Sequence, residues 1–399
     1  MSLTDALGSL TGTISAPNVL RRAKTHDLMA LEDVPQRAWT ALAEQALEPN
    51  PFYDPDWARA VSAHARGRSG AQALVVWDSV ARRRLIGLLP VKSAWRSLKL
   101  PLPMLVAWRP YAPLATPLLH ADAPDDAIHG LLDAAVDVGA RALLVPFVTQ
   151  GITSLALRGA LAERGLQPRM LHAHPRAFLD ARNDAEPMLR EALGAKKLKE
   201  LRRQRNRLAD DGAVTFAMAE DPAEVAIALD AFLALESRGW KGSNGTAMAQ
   251  HDGDTRFIRQ AALALAQQGR FGVARLLRGD DTIAAGLVLR QGRRACFFKI
   301  AYDETLAKLS PGVQLTLELT RHFCADPRVD SVDSTADANH PMIDHLWRDR
   351  MELADVFIPT RHGDRLVAPL ARQIVTAERQ ARDLVRPLVH RLRALGASA

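Results

Sequence analysis

Four stretches in the second half of the chain carry residue types that could do chemistry. Residues 235–247 (LESRGWKGSNGTA) read as a helix end running into a Gly-rich loop, with an aromatic at Trp240, a cation at Lys241, and Gly245 and Thr246 beyond. Glycines let a backbone approach a ligand closely. The order and spacing of Gly and Lys do not make a Walker phosphate loop. Residues 295–301 read as a strand holding Lys299, Ile300 and Ala301, followed by Tyr302 and Asp303, and then by Ser310, Pro311, Gly312 and Val313. Ser310 suits a helix cap, Pro311 the first helical position, and Gly312 leaves that end bare. The free N–H groups and dipole of such an end favour an anion such as a pyrophosphate.

Residues 332–348 (VDSTADANHPMIDHLWR) gather Asp333, Asp337, His340, Asp344 and His345 after a strand. A carboxylate or imidazole there could take the proton of an attacking amine or hydroxyl. No H-E-x-x-H pair is present, so no metal is expected. Residues 196–208 (KKLKELRRQRNRL) form a basic helix, with Leu198, Leu201, Arg205 and Leu208 on one face and cations such as Lys199 and Arg203 elsewhere. It could hold a polyanion, although it lacks the aromatics for stacking single strands. Each stretch also has a plainer reading. These are an ordinary helix start, a surface turn anchored by Trp240, a cap from Asp337 or Asn339 on a helix begun at Pro341, and a solvated charged helix.

The elements that would position these residues follow from periodicity and breakers. In the second half, helices are expected over 186–211, 222–238, 254–269 and 311–324. Strands are expected over 214–217, 271–278, 282–290, 293–301, 331–334 and 352–359, the middle three as hairpins around Gly279 and Gly292. In the first half, strands are expected over 72–77, 85–91, 142–147 and 177–179. Helices are expected over 125–139 and 152–165, with another through Trp57. Five prolines between 101 and 117 argue for a loop or edge there. Strands alternating with helices mean an α/β fold of two related units in tandem. The division expected is a lead-in over 1–30, a first unit over 31–180, a second over 181–365 and a basic C-terminal helix over 366–399.

Bulk properties fit this plan. The chain has 399 residues, room for two units, with 48% hydrophobic and 24% charged residues, the balance of a globular protein. A net charge of +7 suits anionic ligands or a solvated Arg-rich surface. Two cysteines, Cys296 and Cys324, cannot make a disulfide framework and read as free thiols in a reducing compartment. No secretory leader and no membrane span is expected, which points to the cytoplasm. The absence of G-x-G-x-x-G after a strand and of G-x-S-x-G sets aside dinucleotide oxidoreductases and α/β-hydrolases.

Three phrases in this order, 235–247, 298–303 (FKIAYD) with Ser310-Pro311-Gly312, and 333–348, resemble the GNAT acyltransferases of the CelD/BcsL group. That group is associated with cellulose and other exopolysaccharide biosynthesis. The basic helix is similar to the Lys/Arg-rich helix of that group and of Fem-type transferases. The resemblance covers about residues 180–360, and Phe52 to Trp57 is its best point in the first half. It implies two tandem GNAT-like folds, each a mixed, mostly antiparallel sheet flanked by helices. It also implies an acyl-coenzyme A donor, acetyl or longer, in the second fold, an unknown amine or hydroxyl acceptor, and links to polysaccharide-synthesis machinery. The Arg/Gln-x-x-Gly-x-Gly loop of familiar GNAT proteins is missing before Pro311.

On this reading the acceptor attacks the thioester in a ternary complex. Asp303, Asp333 or His340 takes its proton, and Tyr302 protonates the leaving thiolate. Backbone N–H groups of Lys299, Ile300 and Ala301 meet the oxyanion, and Ser310 to Val313 meet the donor pyrophosphate. Trp240, Lys241, Gly245, Thr246, Lys199 and Arg203 contact substrate, with Lys241 and Lys299 on anionic groups. Two alternatives stand beside it: a Fem-type transferase drawing on charged transfer RNA, and a non-catalytic binding protein of the same fold.

Overall fold

The computed structural model describes residues 24–362 apart from Ser69, with scattered positions between 367 and 377. Residues 1–23 of the lead-in, and the C-terminal helix expected from 366 onward except for those scattered positions, lie outside the described residues.

The first half runs β1 (His26–Ala30), α1 (Gln36–Glu44), α2 (Pro55–His64), β2 (Gln72–Trp77), β3 (Leu85–Ser93), α3 (Ala94–Leu98), β4 (Met104–Ala107), β5 (Leu118–Leu119), α4 (Pro124–Asp137), β6 (Ala142–Thr149), α5 (Ile152–Glu163) and β7 (Arg169–Asp180). The second runs α6 (Ala185–Leu208), β8 (Val214–Ala219), α7 (Pro222–Arg238), α8 (Trp240–Ser243), α9 (Asp252–Ala266), β9 (Phe271–Arg278), β10 (Asp281–Gln291), β11 (Arg294–Tyr302), α10 (Pro311–Ala325), β12 (Ser331–Asp333), α11 (Ile343–Leu346) and β13 (Asp349–Pro359).

These strands share one mixed sheet, in the order β1-β2-β3-β4-β6-β13-β7-β12-β11-β10-β9-β8, with β5 beside β3. Each half repeats one plan. Four antiparallel strands lead to a helix, and a fifth strand returns parallel to the fourth. Among the described residues the parallel pairs are β4 with β6 and β11 with β12. The helix between the two strands supplies the crossover a parallel pair needs.

The halves then exchange strands. β7, the end of the first half, pairs with β12 of the second through Asp180↔Ser331, Leu179↔Val332 and Phe178↔Asp333. β13, the last strand, inserts between β6 and β7.

Local signals explain many boundaries. Asp221 accepts from the N–H of Ala223 and Pro222 holds the first position, so α7 starts there. Asp54 and Pro55 do the same for α2. β10 is buried on both faces from Ile283 to Leu289, which is why it reads as a continuous apolar run. Four expectations change. The Pro-rich stretch contains β4, an interior strand between β3 and β6, because its prolines flank Met104–Ala107 rather than interrupt it. The strand expected from 177 begins at Arg169. Within 186–211, Gly194 at φ 73° breaks the helical path, so the basic segment is a helix of its own. Part of the lead-in, His26–Ala30, is a strand paired with β2.

In the second half α7 and α9 cover one face of the sheet, and α6, α10 and α11 cover the other. Cys296 and Ala301 join the core under α7 and α9, while Ala295 and Phe297 join the core under α10. The aromatic cluster of Phe52, Trp57, Phe257 and Phe298 ties the halves together, with Phe298 at 5.6 Å from Phe52 and 5.0 Å from Trp57 between ring centroids.

Candidate active site at the open edge of β11

β11 and β12 pair only through Arg294↔Ser331, Ala295↔Val332 and Cys296↔Asp333. After Asp333 the chain turns away through Thr335, at φ 51°, whose hydroxyl donates to Phe297 O at 2.7 Å. β11 continues to Tyr302, so its later residues have a partner strand, β10, on one side only. The N–H of Asp303 donates to Ile283 O at 2.9 Å. With Gly286 opposite Ile300, antiparallel alternation then turns the backbone polar groups of Ile300 toward the open edge. Ile300 C=O there accepts from Lys241 Nζ at 3.3 Å.

A bulge aims the side chains. Leu287 faces Lys299 and Val288 faces Phe297, leaving Phe298 as the extra residue. Two successive side chains of β11 therefore point to the α7 face. Phe298 meets Trp57, and Lys299 Nζ reaches Glu236 Oε1 on α7 at 3.3 Å.

Glu236 is fully buried and wholly engaged. Its Oε1 accepts from Lys241 at 3.2 Å and from Lys299, and its Oε2 accepts from the N–H of Met248 at 2.9 Å. Burial pushes the Glu236 carboxyl up, but Lys299, Lys241 and the Met248 N–H overrule it and hold it below the usual range. Burial and the charge of Lys299 pull the Lys241 ammonium below the usual lysine range, against Glu236.

Across the strand lies the start of α10. Gly312 sits so close to β11 that a Cβ there would lie 3.2 Å from the Tyr302 ring and 3.5 Å from Ile300 Cδ1. Ser310, expected as a side-chain cap, is left-handed at φ 56° and makes no cap bond. Pro311 has no N–H, so Gly312 and Val313 hold the N–H groups a helix start leaves unpaired. Tyr302 is half-buried, and burial, then the charge of Glu304, raises its hydroxyl above the usual range.

Lys241, Lys299, Ile300, Ala301, Tyr302 and Gly312 thus gather around this stretch of β11. Asp333 does not reach the opening. It is fully buried, paired with Arg176 at 3.0 Å, and accepts from the N–H of Thr335 at 2.7 Å. Asp303 accepts from the N–H and hydroxyl of Thr305 at 3.0 and 2.6 Å. His340 Nδ1 accepts from Met342 N at 3.3 Å and Ile343 N at 3.4 Å, at the start of the short α11. Thr246 donates to Lys241 O at 3.1 Å, and Gly245, at φ 66°, completes that turn. Trp240 is exposed beside Lys241.

Lys199 and Arg203 lie on the outer face of α6, Arg203 bonded to Glu200 at 3.0 Å. α6 docks beside the start of α10: Gln314 Nε2 donates to Leu201 O at 2.7 Å and Gln204 Nε2 to Lys308 O at 3.3 Å.

Sequence reasoning missed Glu236, though a signal existed. It lies on the stripe Val225, Leu229, Phe232, Glu236 that α7 turns to the core, and a carboxylate at a core position needs partners.

Residues 195–341 match the acetyltransferase (GNAT) domain family. Among solved structures the chain is similar to the C-terminal domain (DUF2156) of a proposed lysylphosphatidylglycerol synthetase from Agrobacterium fabrum. Identity is 14% and the TM-score 0.52, over 86% of this chain and 95% of that one. It is also similar to FemX, with 10% identity and a TM-score of 0.50, over 83% of this chain and 96% of that one. At these identities the likeness concerns the fold. No curated protein matches the chain. The fold is of the GNAT type, and the stretch that matches the acetyltransferase domain lies in the second half of the chain. Among the described residues no helix is long and apolar enough to cross a membrane.

Proposed function

We propose that the second half, residues 181–365, transfers an acyl group from an acyl-coenzyme A to an amine or hydroxyl acceptor at the open edge of β11. The observation that carries this reading is the parting of β11 from β12 beside the uncapped start of α10. A strand edge with outward N–H and C=O groups can pair with an extended, amide-bearing donor arm as a further strand would. The bare turn at Gly312 offers N–H groups and the helix dipole to a pyrophosphate.

In this reading the Ile300 N–H stabilises the oxyanion that develops on the thioester carbonyl. The raised Tyr302 hydroxyl keeps its proton at neutral pH and hands it to the leaving thiolate. Asp333 is sealed with Arg176, so taking the acceptor's proton falls to Asp303 or His340, both partly exposed. A place in exopolysaccharide or cell-envelope biosynthesis, and in the cytoplasm, rests on the CelD/BcsL resemblance and on the free thiols of Cys296 and Cys324. A second reading, a Fem-type transferase using charged transfer RNA, draws on the exposed cations of α6 next to the same helix start.

The test is a calorimetric titration with acetyl-coenzyme A and one longer acyl-coenzyme A, repeated on Gly312→Trp. The indole would collide with Tyr302 and fill the helix start. Micromolar binding that the variant loses, with its circular dichroism unchanged, supports the donor and its place. Absence of binding to either donor removes the coenzyme A reading and favours transfer RNA or a non-catalytic role.

A further inference from the structure

The Glu236 cluster holds two ammonium groups against one carboxylate. Lys241 and Lys299 converge on the same oxygen, Glu236 Oε1, at 3.2 and 3.3 Å, while the other oxygen belongs to the Met248 N–H. Glu236 is sealed, but both lysine side chains keep about a fifth of their surface exposed. An ammonium has three N–H donors. Lys241 spends one on Glu236 and one on Ile300 O, and Lys299 spends one on Glu236. One positive charge and several donors are therefore left over at a half-buried spot, where an unmatched charge is costly.

The position separates this spot from the donor phosphates. Ile300 and Tyr302 face Gly312 and α10, whereas the bulge at Phe298 turns Lys299 to the opposite face of the same strand, under α7. Lys241 reaches the open edge from α8, immediately after the exposed Trp240.

We infer that Lys241 and Lys299 form an anion subsite that binds a carboxylate or phosphoryl group of the acceptor, with Glu236 holding the two ammoniums on the β11 edge. This rests on the transferase reading only for the word acceptor. An anionic oxygen bridging both lysines would complete the charge balance and offset both the burial and, second to it, the repulsion from Lys299 that lower Lys241. The acceptor is then an anionic molecule, and its nucleophile is placed beside Ile300 through its acid group.

The test uses the full chain with its lysines labelled with 13C and 15N, so that each Cε and Nζ is read with all three N–H donors intact. Signals of Lys241 and Lys299 are identified with Lys241→Arg and Lys299→Arg. Acetate and inorganic phosphate are titrated separately, so that the two arms tell a carboxylate from a phosphoryl preference. The expected result is a saturable shift of both signals and an upward move of the Lys241 titration. Affinity should fall roughly tenfold or more in Lys299→Met, as expected for losing a charge-assisted hydrogen bond. Lack of a saturable shift, or an equal shift in Lys299→Met, overturns the subsite. The titration is repeated with coenzyme A present. Anion shifts that persist support an acceptor subsite, and shifts abolished by coenzyme A alone assign the pair to the donor and overturn it. If coenzyme A does not bind but the anion shifts remain, the transferase reading fails and the anion subsite stands.

Discussion

Arg176 on β7 and Asp333 on β12 form a buried ion pair of 3.0 Å at the point where β12 leaves β11. Both side chains are almost fully buried, and Arg176 also donates to Pro113 O at 3.1 Å. The pair therefore joins the strand that closes the first half to the strand beside which the candidate site opens.

Removing one partner strands a buried charge. Asp333→Ala should lower unfolding stability by about 3–5 kcal/mol. Arg176→Met should cost a similar amount, and the double variant clearly less than the sum, because it leaves no orphan charge. Denaturant midpoints of the three variants check this. A base at Asp333 would show the reverse, with unchanged midpoints and a collapse of turnover in Asp333→Ala alone.

Glu236 makes the protein sensitive to acid in a definite direction. Its carboxyl is held below its ordinary value near 4.5, so its favourable contribution is full above that value and is lost as pH falls through the lower folded value. Wild type should exceed Glu236→Gln in stability at pH 7, and the difference should shrink steadily below pH 4.5. Equal midpoints at pH 7 would mean that the two lysines do not depend on the carboxylate.

Asp54 carries the opposite sign. Burial raises its carboxyl from 3.8 to about 6, Arg270 and the α2 backbone N–H groups offsetting only part of the rise. The folded state then binds this proton more readily than the unfolded chain. The strain is present above about pH 6 and is relieved as pH falls toward 3.8. Asp54→Asn keeps an oxygen for the N–H of Asp56 and cannot titrate. Its stability curve between pH 6 and 4 should lack the acid-side gain that wild type shows. Parallel curves would remove Asp54 as the titrating group.

The units legible in the sequence were those set by neighbours along the chain. α7 and β9 fall on the expected residues, because Asp221-Pro222 and the Gly279 turn mark their ends locally. β11 and α10 were also legible, and with them Lys299, Tyr302 and Gly312. What long-range pairing decides was not. The exchange of β7 and β13 depends on which strands meet after folding, and no local signal encodes it. The bulge at Phe298 has the same origin: Lys299 reaches α7 only because β10 pairs in that register. Asp333 looked reactive as a carboxylate after a strand, and only the arrival of Arg176 from the other half shows it to be a tie.

The basic helix gives the last prediction. Lys196, Lys199, Arg203 and Arg207 follow one another at spacings of three and four residues, on the side of α6 away from buried Leu201 and Leu208. Leu201 O and Gln204 hold this helix against the α10 start. The stripe therefore raises the local potential where the donor's phosphates are proposed to sit, without touching the thioester. Neutralising Lys199 and Arg203 together should slow association of a polyanionic donor several-fold at low salt, and the effect should fade near 0.5 M salt, where the Debye length falls to roughly 4 Å. Stopped-flow association across a salt series checks it. For coenzyme A the loss should be confined to the association rate. A dependence as steep as the release of many counterions would instead mark a nucleic acid as the true partner of this face.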